Sequence, residues 1–540
     1  MNKREPYSKE ALSQIPRLLS MLDRNEGSKT FGSFYRAYWH DKATDVINAH
    51  PQIGALALAL VYKKSFPNNI FYNSDKIKKW AIAGMVFWAN IQNSDGSFNE
   101  HYINEHSYGA TAWTLSAMLE AYRLLKTDMP KHQAELVLAA IIKAAKWLTR
   151  NDDPGPLTNH QAIAAFSLNR VFTITKNKIF LEGMKEELDN ILKNQSKEGW
   201  FFEYDGADLG YLTTTISFLA KLYNENKDPV IFESLEKAIM FSSYFIFPDG
   251  SFCGLLGSRN TSHFHPHGFE LLAKYMPLAA AVKSKFLLGL SARKVLTPDK
   301  MDERYFSNLI VEFLQSYLDY SDYLGKASLP VEGKDFTKYF GHSGYYMTRT
   351  SNYYAIVNMK KGGVSKMFNF KNKKIIADSG IVGVYNGSLF TSQVQNSSVI
   401  SMNGNNINIE GRCTTVPAYY LTPSRNIISR IFLLLFGGNT KLSNLIKKTL
   451  IRKVITKKRL VNVKFKRNFN FLRNKILIKD TIIGKNISKL SIEDIFYPRY
   501  VPSSRYFAEY ELQNENLDFN KFLKSLNRRG EFLIKRQINF

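Results

Sequence analysis

Three of the ten histidines in this 540-residue chain fall within one short stretch, residues 257–272, which reads GSRNTSHFHPHGFELL. His263, His265 and His267 alternate, so in an extended segment their imidazoles point to one side, as three metal ligands would. Pro266 disrupts regular strand pairing, and no second cluster of Cys, His or Asp completes a metal site. We therefore expect no metal and no cofactor, and favour a catalytic loop in which histidines exchange protons.

The same stretch contains groups that suit an acidic substrate. Arg259 is a natural partner for a carboxylate, because its guanidinium can donate two parallel hydrogen bonds. We expect Arg259 and Asn260 to bind the substrate, His265 or His267 to act as a base, and Glu270 to orient one of these histidines. The alternative is a polar loop in which Arg259 and Glu270 form an ion pair.

The charge of the chain is basic and uneven. The net charge is +26, and no Asp or Glu occurs between Glu410 and Asp480, an interval that holds seventeen Lys and Arg. Such a segment attracts polyanions, and no nucleic-acid motif accompanies it. We expect an acidic polysaccharide or oligosaccharide as the partner, with peripheral contact to an anionic membrane and no nucleic acid. The alternative is a solvated basic face.

The compartment is predicted from what the sequence does not contain. The start has no apolar run of signal-peptide length, and no stretch reaches the roughly 20 apolar residues of a membrane span. The two cysteines, Cys253 and Cys413, lie far apart and fit a reduced compartment. These features predict a cytoplasmic protein, peripheral at the inner membrane face.

The elements that position these residues are helices in roughly the first 300 residues, where apolar side chains recur at three- and four-residue spacing. A turn of one form recurs between the helices, with an acidic residue, Gly, a third residue and Phe at 95–98, 198–201 and 249–252. The repeat of about 50 residues suits one helical hairpin with its loop. Hairpins that each bury one face can close into a ring, which places the loops around one cleft.

The remainder of the chain alternates β-branched and aromatic residues with polar ones, as antiparallel strands do. We therefore predict an α+β multidomain chain. It has an (α/α) toroid over residues 1–325, a linker over 326–338 and an antiparallel β-sandwich over 339–540, with a basic helical insertion near 425–459. The run IFLLLF in this insertion is either buried core or a face that rests on anionic lipid.

A helical toroid followed by a β-sandwich resembles the heparinase II/III-like polysaccharide lyases. Residues 28–60 look like the opening of that family's toroid, and LTNHQAIAAFSL at 157–168 is similar to its Asn-His helix. GADLGYLTTTISFL at 206–219 resembles the helix that presents the catalytic tyrosine. Residues 340–358 and 375–387 resemble the first strands of the β domain. The likeness spans most of the chain.

The resemblance implies site residues. Asn159 and His160 correspond to the family's Asn-His pair and Tyr211 to its catalytic tyrosine, while Arg36 and Trp39 lie in the matching toroid opening. We add Tyr108 as a substrate-binding residue. It follows Phe98 by ten residues, just as Tyr211 follows Phe201.

One feature departs from the family pattern. The family offers a His-rich segment before the Asp-x-Gly strand of the β domain and a His-Asn pair after it. This chain has KKGGVSKMFNF and Gln395–Asn396 in these places, and no histidine follows His342. We expect a histidine of the 257–272 stretch to fill the vacancy.

The function implied is removal of the C5 proton of a uronate, by a β-elimination lyase or a related uronyl epimerase of bacterial envelope polysaccharide metabolism. An ionised carboxylate makes this proton hard to remove, so donors must offset its charge as the carbanion forms. Two other functions stay open. One is a non-catalytic protein that binds acidic glycans during polysaccharide assembly. The other is a toroid glycoside hydrolase, whose paired carboxylates would come from Asp95, Glu100, Glu105, Glu203, Asp205 and Asp208.

Overall fold

The computed structural model describes residues 3–153, 155, 157–323, 326–416, 422–438, 442, 445, 449, 458–498 and 517–540. Helices dominate up to residue 318, and antiparallel strands dominate from residue 336 onwards. The predicted fold class, a helical toroid followed by antiparallel sheets, is confirmed.

The helices of the first part alternate between an inner and an outer layer. Their bounds are α1 Glu5–Leu12, α2 Ile15–Met21, α3 Arg36–Trp39, α4 Gly54–Lys63, α5 Asp75–Asn90, α6 Tyr108–Leu125, α7 Lys131–Leu148, α8 Thr158–Thr175, α9 Lys178–Lys193, α10 Leu209–Asn226, α11 Pro229–Ser242, α12 His267–Leu272, α13 Pro277–Ser291 and α14 Phe306–Leu318. Between α9 and α10 lies a small hairpin of β1 (Phe202–Glu203) and β2 (Gly206–Ala207).

The inner wall of the toroid is a closed ring. Within the described residues it consists of α4, α6, α8, α10, α12 and α14, each in contact with the next, and α14 contacts α4 to close the circle. The loops that precede α4, α6, α8, α10 and α14 contact one another, as the site described below shows. Their helix N-termini therefore share one opening of the ring, which we call the near mouth.

The recurrent turns of the sequence join successive hairpins. Gly96 and Gly199 have φ angles of +105° and +104°, a conformation that glycine adopts without the steric cost of a Cβ. A Cβ at Gly199 would lie 2.1 Å from the carbonyl oxygen of Lys237 on α11, and one at Gly96 would lie 2.5 Å from that of Lys143 on α7. Each turn therefore rests directly on an outer helix, which explains why the sequence repeats glycine there.

The second part of the chain consists of two antiparallel sheets. Their strands are β3 Phe336–Phe340, β4 Tyr345–Arg349, β5 Tyr353–Asn358, β6 Val364–Asn369, β7 Ile375–Asp378, β8 Ile381–Tyr385, β9 Ser388–Thr391, β10 Val399–Asn403, β11 Asn406–Thr415, β12 Leu460–Phe471, β13 Lys475–Ile483, β14 Ile487–Ile492, β15 Leu517–Asp518 and β16 Glu531–Asn539. β3 to β7 form one sheet in sequence order, and the second has the order β15-β14-β8-β9-β11-β12-β13-β16, with β10 beside β11.

The sheet of β3 to β7 lies between the toroid and the larger sheet. Tyr354 and Ile356 of β5 join the core of the toroid, whereas their neighbours Tyr353 and Ala355 join the core between the sheets. The alternation follows from the two-residue period of a strand. Both faces of this sheet are thus buried, and its loops reach the near mouth.

The insertion between β11 and β12 begins with an exposed helix, α15 (Pro423–Phe436). Phe432, Leu434 and Leu435 of the IFLLLF run are 43%, 56% and 70% exposed, so the interpretation of this run as buried core is wrong. Among the described residues, the polar contacts of the helix with the toroid loops lie along one stripe, at Arg430, Leu433 and Gly437. Residues 439–459 of the predicted insertion lie mostly outside the described residues. Among the described residues, every helix is too short or too polar to cross a bilayer.

Candidate active site at the near mouth

One buried carboxylate holds Tyr211 and Arg259 at the same opening. Asp208 caps the start of α10, where its Oδ1 accepts the backbone N–H of Tyr211 at 3.1 Å. The Thr261 hydroxyl donates to Oδ1 as well, and Oδ2 accepts the backbone N–H of Arg259 at 2.9 Å. Burial raises the pKa of Asp208, although these donors counteract the shift. The helix start and the histidine-bearing loop are therefore one unit.

Arg259 presents a half-buried cation. Its guanidinium carbon lies 4.2 Å from the ring centroid of Tyr204, and burial raises the pKa of this tyrosine to about 12, so the ring is a neutral phenol. No carboxylate of the described residues lies within ion-pair distance of the guanidinium. Asp208 is close, but it accepts a hydrogen bond from the backbone N–H of Arg259 and not from the side chain. The charge is available to a carboxylate that arrives from outside.

His263 is the histidine of the 257–272 stretch that lies against Tyr211. The two ring centroids are 5.4 Å apart in an edge-to-face arrangement, and Nε2 of His263 is 3.0 Å from the hydroxyl of Thr214. We had expected His265 or His267 to supply the base. The structure instead brings His263 to the tyrosine, and its side chain is almost fully buried.

The other two histidines lie farther along the lumen. His265 has its ring centroid 6.0 Å from that of Trp113, and its Nδ1 is 3.6 Å from Glu312, which places it below the site. His267 starts α12 and bonds Asp319 at 2.8 Å, beside a cavity of about 490 Å³ at the opposite mouth. The predicted catalytic role of His267 conflicts with this position, because the extended stretch runs through the ring rather than along its rim.

Asn159 and His160 lie at the start of α8, as predicted, but both are engaged with protein groups. The backbone N–H of Asn159 donates to Glu203 at 2.7 Å and its side-chain amide to the same carboxyl at 2.9 Å. His160 contacts Asp153 at 2.7 Å and lies over the start of α6, where a Cβ on Gly109 would be 2.7 Å from its ring. Asn159 thus ties α8 to the β1–β2 hairpin beneath the site, and His160 is the member of the pair that is partly exposed.

Glu203 connects this pair to the Arg259 loop. Burial raises its pKa well above the usual range of a carboxyl, although the two bonds from Asn159 work against the shift. Its backbone carbonyl accepts the hydroxyl of Ser258 at 3.2 Å. The starts of α8 and α10 and the histidine-bearing stretch therefore meet in one hydrogen-bonded network.

Two predicted roles are wrong. Glu270 is fully buried, accepts the Tyr7 hydroxyl at 3.0 Å and pairs with Lys283 at 3.1 Å, so it orients no histidine. Tyr108 is 2% exposed and donates its hydroxyl to Glu187, so it offers no surface to a substrate. Both side chains are buried within the toroid and bonded to protein groups.

Arg36 and Trp39 of the predicted substrate-binding set are held within the N-terminal segment. The Arg36 guanidinium lies 3.7 Å from Asp41, and the indole N–H of Trp39 donates to the carbonyl of Met21 at 2.8 Å. Arg36 remains 40% exposed. Their predicted contact with substrate stays a prediction.

A cluster around Glu100 completes the near mouth; Glu100 was a hydrolase candidate from the sequence, but its partners Tyr305 and His50 were missed. Tyr305 donates its hydroxyl to Glu100, and Nε2 of His50 lies 3.6 Å from the same carboxylate. Burial acts to raise the pKa of Glu100, yet the neighbouring His101 and His50 hold it well below its usual range. The signal was present, since His50 lies just before the inner helix α4 in INAHPQIG, and His160 lies in the first turn of the inner helix α8 in LTNHQ.

The β domain contributes a lysine and two amides where the family pattern has histidines. Nζ of Lys361 donates to the carbonyls of Leu255 and Gly257 at 3.0 and 2.6 Å and to Oδ1 of Asn260 at 2.7 Å. Burial lowers the pKa of Lys361 to about 7. Asn260, predicted to bind substrate, thus has its amide oxygen occupied.

The Gln395–Asn396 pair contacts the β1–β2 hairpin. The side-chain amide of Asn396 donates to the carbonyl of Asp205 at 2.6 Å, and a Cβ on Gly206 would lie 2.8 Å from the amide nitrogen of Gln395. The β domain therefore supports two toroid segments that border the site.

Residues 61–265 match the family model of the ulvan lyase N-terminal domain. The structure is similar to that of a Streptomyces coelicolor A3 chondroitin AC lyase in complex with chondroitin sulphate, with a TM-score of 0.55 and 8% identity over 91% of this chain and 67% of that chain. For a mutant of the same lyase the TM-score is 0.51 and the identity 9%, over 91% of this chain and 68% of that chain. For heparinase III the TM-score is 0.48 and the identity 11%, over 91% of this chain and 72% of that chain. No curated protein sequence matches the chain.

The matched region contains α5 to α11 and the near-mouth stretch as far as His265, and so includes Asn159, Tyr211 and Arg259. Identities this low indicate a shared fold and carry no residue roles with them. The match to the ulvan lyase N-terminal domain and the fold shared with chondroitin AC lyase together confirm the predicted resemblance to the heparinase-like polysaccharide lyases.

Proposed function

We propose that the near mouth removes the C5 proton from a uronate residue of an acidic polysaccharide and eliminates the group at C4. The observation that carries this proposal is Arg259, a half-buried cation without an ion-pair partner among the described residues, fixed beside Tyr211 by Asp208. A uronate carboxylate is an anion that a guanidinium can bind through two hydrogen bonds. The similar chondroitin AC lyase structure contains chondroitin sulphate, an acidic polysaccharide.

The roles follow from the positions of the groups. Arg259 binds the carboxylate and stabilises the negative charge that develops on it as the C5–H bond breaks. Either Tyr211 or His263 is the base that takes the C5 proton, and the Tyr211 hydroxyl is the acid that protonates the oxygen leaving C4. The products are a chain end with a C4–C5 double bond and a new hydroxyl on the leaving chain. A free tyrosine has a pKa near 10, so a base role for Tyr211 depends on the neighbouring cation.

The hydrolase alternative has little support in the site. Asp95 accepts from His106 at 2.7 Å, and Oε2 of Glu105 accepts the backbone N–H groups of Glu100 and His101 at 2.8 and 2.6 Å. Glu203 and Asp208 are bonded in the same way by loop donors. These carboxylates hold the loops in place and leave no evident acid–base pair across a glycosidic bond.

The test is incubation of the full-length protein with ulvan, chondroitin sulphate and neutral glycans, followed by ultraviolet absorbance, since only elimination produces a conjugated double bond. Tyr211→Phe should lower the rate at least a hundredfold with unchanged folding. Tyr223→Phe, farther along α10, is the matched control and should retain full activity. Arg259→Ala should weaken binding of acidic glycans and leave weak binding of neutral ones unchanged.

Other outcomes select other functions. Inversion at C5 without a double bond, detected as exchange of the C5 hydrogen with deuterated water, identifies a uronyl epimerase. Binding of acidic glycans that depends on Arg259, with neither reaction, identifies a glycan-binding protein, an alternative favoured by Lys361 and Gln395–Asn396 at the family's histidine positions. A role in bacterial envelope polysaccharide metabolism and a cytoplasmic location belong to the same proposal.

A further inference from the structure

Helix α15 lies on the rim of the near mouth and is held by one stripe. Arg430 pairs with Asp45, the carbonyl of Leu433 accepts the amide of Asn104 at 3.2 Å, and the carbonyl of Gly437 lies 3.2 Å from Nε2 of His106. Positions 430, 433 and 437 share one face of a helix. The loops they contact lead into the short helical turn His50–Ile53 and into α6, and these loops position the Glu100 cluster.

The remaining faces of α15 are apolar and exposed. Seven large side chains are between 43% and 70% exposed, namely Ile427, Ile428, Ile431, Phe432, Leu434, Leu435 and Phe436. A helix of 14 residues is marginal in water unless an apolar face is covered. A patch of this size on one short element marks an interaction surface.

The charge around α15 indicates what covers it. Arg425 lies in its first turn, and the sequence from 441 to 459 adds eight Lys and Arg, within an interval of 69 residues that has no acidic residue. A second copy of this chain would bring the same positive charge against itself. Apolar side chains beside a basic segment without acids match an anionic lipid surface, where the apolar face enters the headgroup boundary and the cations contact phosphate.

We propose that α15 docks the protein on an anionic membrane surface by inserting its apolar face into the interfacial layer. The docking does not depend on the chemistry proposed above. Because α15 borders the near mouth, docking holds that mouth beside the bilayer. In combination with the proposed function, the substrate is then an acidic glycan held at the membrane, such as one attached to a lipid carrier.

The test uses the full-length protein and vesicles of phosphatidylcholine with or without phosphatidylglycerol, measured by co-sedimentation. The wild type should bind the anionic vesicles, and added salt should weaken binding at least tenfold, since exposed charges are screened over about 8 Å at physiological ionic strength. The double variant Ile428→Ser, Leu435→Ser should lose at least tenfold in affinity. Ile70→Ser, which changes the isoleucine at 84% exposure on another surface, should bind as the wild type does.

Three results would overturn the proposal. The first is failure to bind anionic vesicles, and the second is equal binding to pure phosphatidylcholine. The third is a dimer in lipid-free sedimentation that the double variant abolishes, because a second copy then covers the helix. Activity of the double variant on soluble acidic polysaccharide should equal that of the wild type, so failure of docking and failure of the proposed chemistry are separate readouts.

Discussion

At the scale of single residues, two buried carboxylates hold the segments of the candidate site together. Asp208 and Glu203 are both buried, and each accepts bonds from two toroid segments: Asp208 from the start of α10 and the Arg259 loop, Glu203 from the start of α8 and, through its carbonyl, from Ser258. A carboxyl oxygen can accept several bonds at once, which lets one side chain join elements distant in sequence. The positions of Tyr211 and Arg259 are a consequence of this bonding.

Asp208→Asn tests that consequence. The amide keeps the shape but replaces one acceptor oxygen with a donor that faces another donor, so we expect a loss of about 1–3 kcal/mol in the free energy of unfolding. The catalytic rate should fall by more than the loss of folded protein accounts for, because Tyr211 and Arg259 lose the carboxylate that holds both of them. The control is Asp228→Asn at the cap of α11, where Oδ1 accepts Val230 N–H at 2.9 Å in an exposed position and Asn caps as well as Asp. Equal effects of the two substitutions on activity would contradict the anchoring role.

At the scale of elements, the repeated turn could be predicted from the sequence, but the path of the histidine-bearing stretch through the toroid could not. The acidic–Gly–x–Phe pattern predicted hairpins because the glycine requirement is local: a positive φ and a close approach to the next helix. By contrast, the choice of His263 over His265 and His267 depends on how deep the stretch enters the lumen, which packing against Thr214 and Trp113 decides. Glu270 was misassigned for the same reason, since its partner Lys283 lies on the next helix, α13.

Gly199→Ala tests the element-level requirement. The alanine would have an unfavourable φ, and its Cβ would lie 2.1 Å from the carbonyl of Lys237, so α11 must shift. We expect a loss of more than about 3 kcal/mol in stability, or loss of folded protein. Gly387→Ala is the matched control: its φ is +76° but nothing lies within 4 Å of the added Cβ, so only the cost of about 1–2 kcal/mol for the left-handed conformation remains. Chemical denaturation of both variants measures the difference, and similar losses would argue against close packing of the turn.

At the scale of the whole molecule, the β domain contacts the loops of the near mouth through Lys361 and Asn396. The order of helices and strands was predictable from periodicity, because each element shows its own apolar spacing. The contacts between the two parts were not, since Lys361 and Asn260 are about a hundred residues apart and neither has a sequence feature that names the other. The missing family histidines signalled that the β-domain contribution had changed, but not that a lysine would anchor the Arg259 loop.

Lys361 makes this contact depend on pH. Burial lowers its pKa to about 7, below the usual 10.5, so between these values the unfolded chain binds more protons than the native one. Stability should therefore rise with pH across this window, by at most about 1.4 kcal/mol per pH unit, and lose this contribution as pH falls through 7. Lys361→Met removes the titrating amine and should flatten the plot of melting temperature against pH between pH 7 and 10.5. It should also raise KM for acidic glycans, because Asn260 and Gly257 lose their hydrogen-bond donor.

The control is Lys360→Met. This neighbouring lysine donates to the carbonyl of His342 at 2.9 Å in an exposed position, so its loss should leave the wild-type slope unchanged. If Lys361→Met kept the same slope as the wild type, the buried amine would not be the titrating group, and the link between the β domain and the Arg259 loop would have to be independent of its charge.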